Sequence, residues 1–489
     1  MILRRLLSSI LLLAAGVSFA AEKPNLILIN IDDLGYADIG PFGSSNATPH
    51  LDRMAAEGMK LTSHYAAPVC SPSRASLLTG CYPKRVLSIP HVLFPAGAVG
   101  LNPDETTIAE VLKEAGYKTA CVGKWHVGDQ PEFLPTAQGF DSYYGIPYSN
   151  DMGPAADGSK SNPGQPIRQP NANAKKKAPP PDDETGLKGL SQTPLPLVEN
   201  GNVIERVKAE EQHTITSRYT GKACDFIREN KDGPFFLYMP HTAVHFPLYP
   251  GKKYMGKSPN GLIGDWTQEV DSCVGQILDL LRELQLDKNT VVAFTSDNGG
   301  ALNHGSSNKP LRGSKGQTFE GGIRVCTVVW GPGTIPAGST TAEITSHMDW
   351  LPTFTTMAGG KLPERKLDGK DLSPVLKGQK EATGHDVFYY YRGYQLQAVR
   401  GGPWKLHLAS GELYHLGQDI AEEQNVAAKY PKEVMRLRAL AESMKDDLGL
   451  DGAEAPGVRP LGRVAKAVPL IHADGTVRAG FDGIVKKLP

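Results

Sequence analysis

The chain has 489 residues, of which 40% are hydrophobic and 21% are charged, a composition typical of a folded globular protein rather than a disordered, fibrous or multi-span membrane protein. Lysine plus arginine equals aspartate plus glutamate at 52 each, so no net charge attracts the protein to nucleic acid or to an anionic membrane. The length exceeds that of a single core, about 250 to 300 residues, and predicts one large domain with a smaller one.

Residues 1–20 have the pattern of a secretory signal peptide. Two arginines precede an apolar run from Leu6 to Val17, and Ser18-Phe19-Ala20 places small residues at the outer positions of a cleavage site. The run is too short to span a bilayer, and no cysteine near the cleavage point offers a lipidation site. We therefore expect a periplasmic or secreted protein, without a transmembrane anchor, that starts near Ala21.

Residues 21–375 alternate between predicted strands and helices. The first strand, Leu26–Ile31, is a continuous apolar run of the kind that is buried on both faces of a sheet. Such alternation predicts an α/β domain in which helices flank a large, mainly parallel sheet. The other elements predicted here are helices at Pro49–Glu57, Thr107–Ala115 and Val270–Leu284, and strands at Lys118–Val122 and Val291–Thr295.

Polar residues follow three of these strands directly. They are Asp32-Asp33, Gly123-Lys124-Trp125-His126 and Asp297-Asn298, in chain order. Because ligands bind at the carboxyl ends of strands in open α/β sheets, we expect these residues to meet in one site. Residues i and i+2 of an extended segment share a face, so Lys124 and His126 are predicted to enter the site while Trp125 packs away from it.

Residues 153–200 form a predicted surface insertion or lid, because the chain there becomes rich in proline, lysine, glycine and asparagine. Lys175-Lys176-Lys177 lies close to Pro179-Pro180-Pro181 in this segment. The basic run is compatible either with a solvated loop or with contact to an anionic polymer.

The pattern changes after residue 375. Short strands separated by glycine-rich turns predict a small antiparallel sheet within residues 376–450, together with an amphipathic helix at Pro431–Met444. Residues 451–489 are a tail rich in glycine, proline and charge, without a clear period. The strands predicted in the small sheet are Val387–Arg392, Gln395–Arg400, Trp404–Leu408 and Glu412–His415.

The six cysteines are scattered, at positions 70, 81, 121, 224, 273 and 326, without Cys-x-x-Cys pairs. Neither a zinc cluster nor a dense disulfide framework is indicated. Cys121 and Cys273 lie in apolar periodic segments that favour buried thiols. One disulfide is compatible with the sequence, which does not assign it.

Cys70 directly precedes a predicted helix that is opened by Pro72. A residue at a helix N-terminus faces unsatisfied amide protons and the positive end of the helix dipole, which favour a bound anion. Arg74 follows four residues later and therefore lies on the same face of the helix. The segment predicts a site at which an oxyanion is bound beside the cysteine.

This segment, Cys-Ser-Pro-Ser-Arg with a trailing Leu-Thr-Gly, resembles the signature of the sulfatase family, and the order of motifs is similar to the arylsulfatase A branch. The resemblance runs from about Pro24 to the small sheet and implies an alkaline-phosphatase-like fold. It further implies that a formylglycine-generating enzyme oxidises Cys70 to formylglycine, whose hydrate attacks the sulfur of a sulfate ester. A sulfated small molecule or glycan is the implied substrate.

A metal site is predicted from the oxygen-bearing side chains at the strand ends. Asp32, Asp33, Asp297 and Asn298 supply hard oxygen donors, which favour Ca²⁺ or Mg²⁺ over zinc. The resemblance implies that these four residues bind calcium beside the formylglycine at position 70. Such a cation would offset the repulsion between the carboxylates and an incoming sulfate.

The resemblance also assigns roles to residues in further motifs. It implies that Lys124 contacts formylglycine and sulfate, and that His126 removes a proton from the second hydroxyl of the hydrate. His245, in Ala-Val-His-Phe-Pro, and Lys315, in Arg-Gly-Ser-Lys-Gly, match groups that contact sulfate and assist the leaving oxygen. Ser149 matches a serine that binds sulfate. Arg74 is expected to hold the nucleophile in place.

Two histidines and two alternative functions stay open at this point. His241 and His304 match no motif and are either substrate contacts or ordinary loop residues. A phosphomonoesterase or phosphodiesterase of the same superfamily would bind a similar tetrahedral oxyanion. A glycan-binding protein with an unmodified cysteine would lack any need for the proton-transfer residues. Export and the basic loop favour a carbohydrate sulfate outside the cytoplasm.

Overall fold

The computed structural model describes residues 23–167 and 184–483. The predicted signal peptide and the runs Lys175–Lys177 and Pro179–Pro181 lie outside the described residues. Within the two described ranges, no helix combines the length and the apolar character that crossing a membrane requires.

The strands are β1 Asn25–Ile31, β2 Met59–Tyr65, β3 Val99–Gly100, β4 Lys118–Val122, β5 Ser142–Gly145, β6 Pro196–Glu199, β7 Asn202–Arg206, β8 Phe235–Pro240, β9 Thr290–Ser296, β10 Arg324–Trp330, β11 Ser339–Thr341, β12 Thr345–Ser346, β13 Val387–Arg392, β14 Gln395–Gly401, β15 Trp404–His407, β16 Leu413–His415 and β17 Gly462–Arg463. The helices are α1 Pro49–Ala56, α2 Cys70–Thr79, α3 Pro83–Val86, α4 Ile108–Glu114, α5 Ala209–Glu229, α6 Gly261–Glu283, α7 Glu320–Ile323, α8 Trp350–Met357, α9 Ser373–Leu376 and α10 Pro431–Glu442.

One large sheet dominates the described part of the chain. Its order is β11-β2-β10-β9-β1-β8-β4-β5-β6-β7, with β12 also paired to β2, which makes eleven strands among the described residues. The central strands β9, β1, β8, β4 and β5 pair in parallel. Antiparallel pairs of β10 with β9 and of β6 with β5 extend the sheet on either side. The predicted mainly parallel α/β fold is confirmed.

The first strand shows how the apolar pattern places the sheet between two helical layers. Leu26 and Leu28 pack into the core that contains residues of α2, α4 and α8. Ile27 and Ile29 point to the opposite face, into the core formed with α1, α5 and α6. Both faces of β1 are therefore buried, as its unbroken apolar sequence predicts for a central parallel strand.

The small antiparallel sheet of the prediction is also confirmed. It has the order β13-β14-β15-β16, and α10 packs on β14 and β15. Downstream, β17 pairs with β3, while Leu470 and Ile471 are buried in a core of the large sheet. The described residues after 451 thus contact the larger unit rather than only the small sheet.

Several elements were not assigned from the sequence. These include β2, the buried β10 and β8, and the hairpin of β6 and β7, whose first strand lies inside the predicted 153–200 insertion. All six cysteines are free and buried, so the disulfide that the sequence left open does not form.

Candidate active site

The candidate site residues lie close together because neighbouring strands of the sheet run in the same direction. Their carboxyl ends lie at one edge, where the chain leaves each strand through a polar loop. The side chains delivered to this edge are Asp32 and Asp33 after β1, Lys124 and His126 after β4, Ser149 after β5, His245 after β8, and Asp297 and Asn298 after β9.

Cys70 is placed at this edge by the start of α2. The helix begins at Cys70 itself, after Val69 in extended conformation, and the cysteine is 1% exposed. Its thiol donates to Asp32 Oδ1 at 3.3 Å. Burial, followed by the charges of Asp297 and Asp32, raises the pKa of the Cys70 thiol well above its ordinary value. The unmodified side chain is therefore a protonated thiol and not a thiolate nucleophile.

Arg74, one turn further along α2, holds the site together rather than pointing only at position 70. Its Nε and Nη2 donate to Asp297 Oδ2 at 3.1 and 2.8 Å, and its Nη1 donates to the Lys124 carbonyl at 2.6 Å. This guanidinium is completely buried. It therefore ties α2 to the loops after β9 and β4.

The two loops after β1 and β9 bring their oxygen donors together. Asn298 Nδ2 donates to Asp33 Oδ1 at 2.8 Å, and the Asp33 backbone N–H donates to Asp297 Oδ1 at 3.2 Å. The Oδ1 atom of Asn298 is buried without a hydrogen-bond partner. An unpartnered buried acceptor beside three carboxylates is the arrangement that a bound cation would complete.

Each carboxylate of this group faces a cation. Lys124 forms an ion pair with Asp32, Lys315 Nζ lies 2.7 Å from Asp33 Oδ1, and Arg74 pairs with Asp297. Burial raises the pKa of Asp32, but Lys124 and other nearby positive charges outweigh it and lower the pKa overall. The same balance, with Lys315 as the strongest opposing charge, lowers the pKa of Asp33. Both carboxyl groups are therefore ionised.

His245 lies where it contacts both an acid and a hydroxyl. Its Nδ1 is 2.5 Å from the Phe246 carbonyl and 3.2 Å from Ser149 Oγ, and its Nε2 is 3.7 Å from Asp33 Oδ2. Ser149 Oγ also accepts a hydrogen bond from Lys124 Nζ at 3.2 Å. A proton on Nδ1 is held by the carbonyl, which leaves Nε2 directed towards the carboxylates.

His126 is buried with one ring nitrogen engaged and one open. Its Nε2 is 3.0 Å from the Leu93 carbonyl, whereas its Nδ1 has no hydrogen-bond partner. Burial first, and then Lys124 and Arg74, lower the pKa of His126 well below its ordinary value. The ring is neutral, with Nε2 as the donor and Nδ1 as the free acceptor.

The expectation that Lys124 and His126 lie on one extended segment is wrong. β4 ends at Val122, and His126 has a φ of 69°, in the left-handed region. The physical reason is a hydrogen bond from the His126 N–H to the Pro147 carbonyl at 3.0 Å, which bends the segment towards the loop after β5. Trp125 is buried and donates to the Phe133 carbonyl, away from the site, as expected.

Four of these side chains, Asp32, Asp33, Cys70 and His245, offer donor atoms that all lie within 4.8 Å of one another. A sequence pattern described as "Sulfatase" matches residues 24–360, which include every residue of the site described above. The chain belongs to the sulfatase family. A second pattern, described as "N-sulphoglucosamine sulphohydrolase, C-terminal", matches residues 314–447.

Curated relatives place this sulfatase near arylsulfatase A. Arylsulfatase A of Bos taurus is 39% identical over 420 residues, covering 83% of this chain and 78% of the relative. N-acetylgalactosamine-6-sulfatase of Mus musculus is 40% identical over 442 residues, with 86% and 79% coverage. The chain is therefore a sulfatase, an enzyme that hydrolyses sulfate esters.

Solved structures agree with this assignment. The PsFucS1 sulfatase from Pseudoalteromonas sp. superposes with a TM-score of 0.76 at 26% identity, covering 90% of this chain and 92% of that chain. Ps i-CgsB, solved with k-i-k-neocarrahexaose, has a TM-score of 0.73 at 32% identity, with 86% and 92% coverage. The phosphonate monoester hydrolase of Agrobacterium radiobacter, at 21% identity and a TM-score of 0.58, shares only the fold.

The two histidines left open by the sequence lie in different surroundings in this sulfatase. His241 is 1% exposed, burial lowers its pKa to about 3, and its Nδ1 has no hydrogen-bond partner. His304 is partly exposed and stacks on Phe246, with 4.6 Å between the ring centroids. His304 therefore borders the loop that carries His245, whereas His241 lies in the protein interior.

The structure also reveals residues that lie outside the motifs but support the elements that carry the site. His347 supports α2, since its Nδ1 is 3.1 Å from Ser73 Oγ. The loop that carries Lys315 is held by the small sheet, because Lys405 Nζ donates to the Thr318 carbonyl at 2.8 Å. Such residues lie far from the motifs along the chain, and no local sequence signal identifies them.

Proposed function

We propose that this sulfatase hydrolyses the sulfate ester of a carbohydrate outside the cytoplasm, using formylglycine made from Cys70 and a calcium ion. The observation that carries the proposal is the position of Cys70. It is buried at the start of a helix, 3.3 Å from Asp32 Oδ1, among three carboxylates that are each paired with a cationic side chain. A nucleophile made from this residue would lie where these charged groups converge.

Formylglycine fits the surroundings of position 70. Once hydrated, the aldehyde would offer one hydroxyl as the nucleophile that becomes bonded to sulfur, and a second hydroxyl whose loss of a proton would re-form the carbonyl and release the sulfate together with the first oxygen. Asp32 Oδ1, which already accepts from the thiol, is placed to accept from a hydroxyl at the same position. The modification requires a formylglycine-generating enzyme as a partner during maturation.

Calcium fits the donors of Asp32, Asp33, Asp297 and Asn298, including the unpartnered Asn298 Oδ1. When bound, it supplies positive charge that polarises the nucleophile and offsets the carboxylates. The close group of Asp32, Asp33, Cys70 and His245 contains softer donors that would suit zinc. We favour calcium because oxidation would remove the thiol, which leaves His245 as the one softer donor of this group among oxygen ligands.

In this proposal, the cationic side chains of the site bind and orient the sulfate group of the substrate. Lys124 Nζ and His245 both contact Ser149 Oγ, so these three side chains form one polar wall. Lys315, 20% exposed and paired with Asp33, forms another part of the site. Their fixed positive charges stabilise the negative charge that spreads over the sulfate oxygens during transfer. Arg74 positions this array through Asp297 and the Lys124 carbonyl.

Two histidines move protons in this proposal. His245 Nε2 donates a proton to the departing ester oxygen, assisted by Lys315. His126 accepts a proton at Nδ1, since its Nε2–H is already donated to the Leu93 carbonyl and the ring is neutral. The tautomer of His126 is thus set by a backbone group rather than by a carboxylate.

The proposed substrate class is supported by the names of relatives and by the predicted signal peptide. One relative is named for N-acetylgalactosamine 6-sulfate, and one similar structure was solved with a carrahexaose. We therefore propose a sulfated glycan as the substrate of this chain. The predicted signal peptide at residues 1–20 supports action in the periplasm or outside the cell.

The test is hydrolysis of paired aryl esters by protein co-expressed with a formylglycine-generating enzyme. In calcium buffer, 4-nitrophenyl sulfate should be hydrolysed with a kcat/KM at least about 100-fold above that for 4-nitrophenyl phosphate. The reason is that the proposed site binds a single metal ion, and each of its carboxylates is paired with one cationic side chain. Chelation should abolish the sulfatase activity. A preference for the phosphate ester, or zinc-dependent activity, would favour the phosphatase alternative instead.

A further inference from the structure

The first turn of α2 carries position 70, and two neighbouring residues of that turn attach it to the rest of the site. Cys70 opens the helix, and Ser73 and Arg74 follow. Arg74 ties the helix to Asp297 through an ion pair. Ser73 is buried as well and makes a separate connection that involves no charged group.

That connection runs through His347, which is fully buried. Its Nδ1 is 3.1 Å from Ser73 Oγ, and its Nε2 is 3.4 Å from Thr295 Oγ1. Thr295 lies in β9, two residues before Asp297, and its hydroxyl is 2.8 Å from Thr327 Oγ1 in β10. His347 therefore bridges the helix that carries position 70 and the strand that leads to Asp297.

The directions of these hydrogen bonds follow from the other partner of Ser73. Its Oγ accepts from the Ala67 N–H at 3.3 Å, so the hydroxyl hydrogen is available to be donated to His347 Nδ1. Burial lowers the pKa of His347 to about 4, and a neutral ring that accepts at Nδ1 carries its proton on Nε2. Nε2 then donates to Thr295, so that both ring nitrogens are used.

The turn that carries His347 is held independently of α2 and β9. Ser346 precedes it in β12, which pairs with β2, and the Ser346 N–H donates to Asp349 Oδ2 at 2.7 Å. Asp349 Oδ1 accepts from the Lys370 N–H at 2.7 Å and lies 2.7 Å from His385 Nε2. Because these contacts fix its backbone, His347 acts as a rigid spacer and does not simply follow the helix.

We propose that His347 is a positioning residue for sulfate ester hydrolysis, which fixes the first turn of α2 against the end of β9. This inference rests on the proposed function. Arg74 attaches the two elements at one point through a long side chain, and His347 adds a second point through a stiff ring. Two points of attachment set the orientation of the helix, and with it the distance between a nucleophile at position 70 and the proposed metal ligand Asp297.

The test compares His347 with a second buried histidine that has similar surroundings but other partners. The rings of His64 and His347 lie 5.3 Å apart, and both residues are fully buried. His64 Nδ1 is 2.9 Å from Thr345 Oγ1, so this ring bonds to β12 instead of to α2. His64→Phe is therefore the matched control for His347→Phe.

Both variants would be made in the full chain and matured with a formylglycine-generating enzyme. Turnover of 4-nitrophenyl sulfate would be expressed per formylglycine, which mass spectrometry measures. His347→Phe should lower kcat about 10- to 100-fold and leave KM within about 3-fold, because a misplaced nucleophile reacts slowly while the sulfate contacts remain. His64→Phe should leave both constants within about 3-fold of the native values.

Two further variants test the hydrogen bond to Ser73 itself. The amide oxygen of His347→Asn can accept from Ser73 as Nδ1 does, so its kcat should stay at least about 5-fold above that of His347→Phe. Ser73→Ala breaks the same bond with a smaller change in shape and should lower kcat about 10-fold. The double variant with His347→Phe should lose little beyond the larger single loss, since one link is broken in each case.

Hydrogen exchange provides a measurement that needs neither turnover nor calcium. In the chain with unmodified Cys70, His347→Phe should speed exchange of the α2 amides about 10-fold or more, while those of α5, on the opposite face of the sheet, should stay unchanged. His64→Phe should change neither helix. An equal increase in both helices of His347→Phe would indicate general destabilisation and would overturn the inference.

A native kcat in His347→Phe would also overturn it, as would an equal loss of kcat in His64→Phe or strictly additive losses in the double variant. If His347→Phe does not fold, a native kcat in Ser73→Ala has the same meaning. Failure of the proposed function would appear differently, as an absence of sulfate release by the native chain itself. The exchange of the α2 amides would then still decide whether His347 holds this helix.

Discussion

Two buried clusters of charge in this protein resemble each other in composition and differ in completeness. The first is the proposed reaction centre at the carboxyl edge of the large sheet. The second, which we term the junction cluster, joins the large sheet to the small one and consists of Glu320, Arg324, Arg400, Lys405 and Glu422. Both contain buried carboxylates and cations, apart from Lys315 in the first cluster, whose side chain is 20% exposed.

Every carboxylate of the junction cluster has its partners. Glu320 accepts from Lys405 Nζ at 2.8 Å and from the hydroxyls of Tyr65 and Tyr390 at 2.6 and 3.1 Å. Glu422 forms an ion pair with the same lysine at 2.9 Å. Burial raises the pKa of Glu320, but Lys405 and the neighbouring arginines outweigh it, so that the pKa is lowered.

The reaction centre, in contrast, leaves polar atoms unused. Asn298 Oδ1 and His126 Nδ1 are buried there without partners, whereas no side-chain atom of the five junction residues is in that state within the described chain. Burying an unpartnered polar group costs stability. The two clusters thus differ in the completeness of their hydrogen bonding, although buried atoms elsewhere in the described residues, such as His241 Nδ1, also lack partners.

The largest effect is expected at Cys70. Cys70→Ala removes the proposed nucleophile and should lower kcat for sulfate esters by about 10⁴-fold or more, with little effect on folding. Steady-state kinetics and circular dichroism would be measured together. Cys121→Ala serves as the control, because Cys121 is equally buried but lies within β4. Substantial activity in Cys70→Ala would refute the role of the residue.

The second largest loss of activity is expected for Asp297→Asn. It keeps the shape of the side chain but removes one negative charge from the cation site, and we expect kcat/KM to fall about 10³-fold with loss of bound calcium. Metal content would be measured by mass spectrometry after dialysis. Asp232→Asn, at an exposed turn before β8, should keep both metal and activity. Full calcium content in Asp297→Asn would show that this carboxylate is not a ligand.

His245→Ala should have a smaller effect that depends on the leaving group. For a sugar sulfate, loss of the proton donor should lower kcat/KM about 10²- to 10⁴-fold. For 4-nitrophenyl sulfate, whose leaving oxygen needs little protonation, we expect about 10-fold or less. The two substrates would be compared side by side. An equal loss for both would assign His245 to sulfate binding instead of proton donation.

At the junction cluster the effect should be on stability and only slightly on activity. Glu320→Ala leaves Lys405 and the arginines buried without their partner and should lower the free energy of unfolding by about 3 to 5 kcal/mol. Urea denaturation would measure it, and kcat/KM should stay within about 10-fold. Glu364→Ala, in an exposed ion pair, should change stability by less than about 1 kcal/mol. A larger loss of unfolding free energy in Glu364→Ala than in Glu320→Ala would contradict the structural role of the junction cluster.

Low pH should reduce the contribution of Glu320 to the stability of the protein. Because the folded pKa of Glu320 is depressed, its contribution to stability is present above the pKa of the unfolded chain and is lost as the pH falls towards the folded value. The difference in unfolding free energy between the native chain and Glu320→Ala should therefore shrink in strong acid. A difference that is constant with pH would mean that Glu320 contributes through packing alone.

Part of the candidate site was predictable from strand ends, since Asp32, Lys124 and Asp297 directly follow or lie close behind predicted strands. Ser149, His245 and Lys315 were assigned only through the resemblance to the sulfatase family. The strand Lys118–Val122 and the first strand of the small sheet, Val387–Arg392, were placed with their observed bounds. The junction cluster was not predicted, since Tyr65, Glu320 and Lys405 come from distant parts of the chain. Only the folded chain brings such residues together, and no local pattern marks them.

The backbone conformation at the site could not be predicted from the sequence either. The extended segment expected through His126 fails because a hydrogen bond to Pro147, a residue of another loop, sets its φ angle. β10 was not predicted because Arg324 and Thr327 interrupt its apolar run, although all seven of its residues are buried, as in β1. Tertiary contacts decide both features.

The most direct test of the account is the mass of the tryptic peptide that spans residues 61–74 and contains Cys70. In active protein made with a formylglycine-generating enzyme, this peptide should be about 18 Da lighter than its cysteine form and should react with an aldehyde probe, as expected for oxidation of the thiol to an aldehyde. The modified fraction should rise in proportion to kcat. Fully active protein in which this peptide carries only unmodified cysteine would contradict the account.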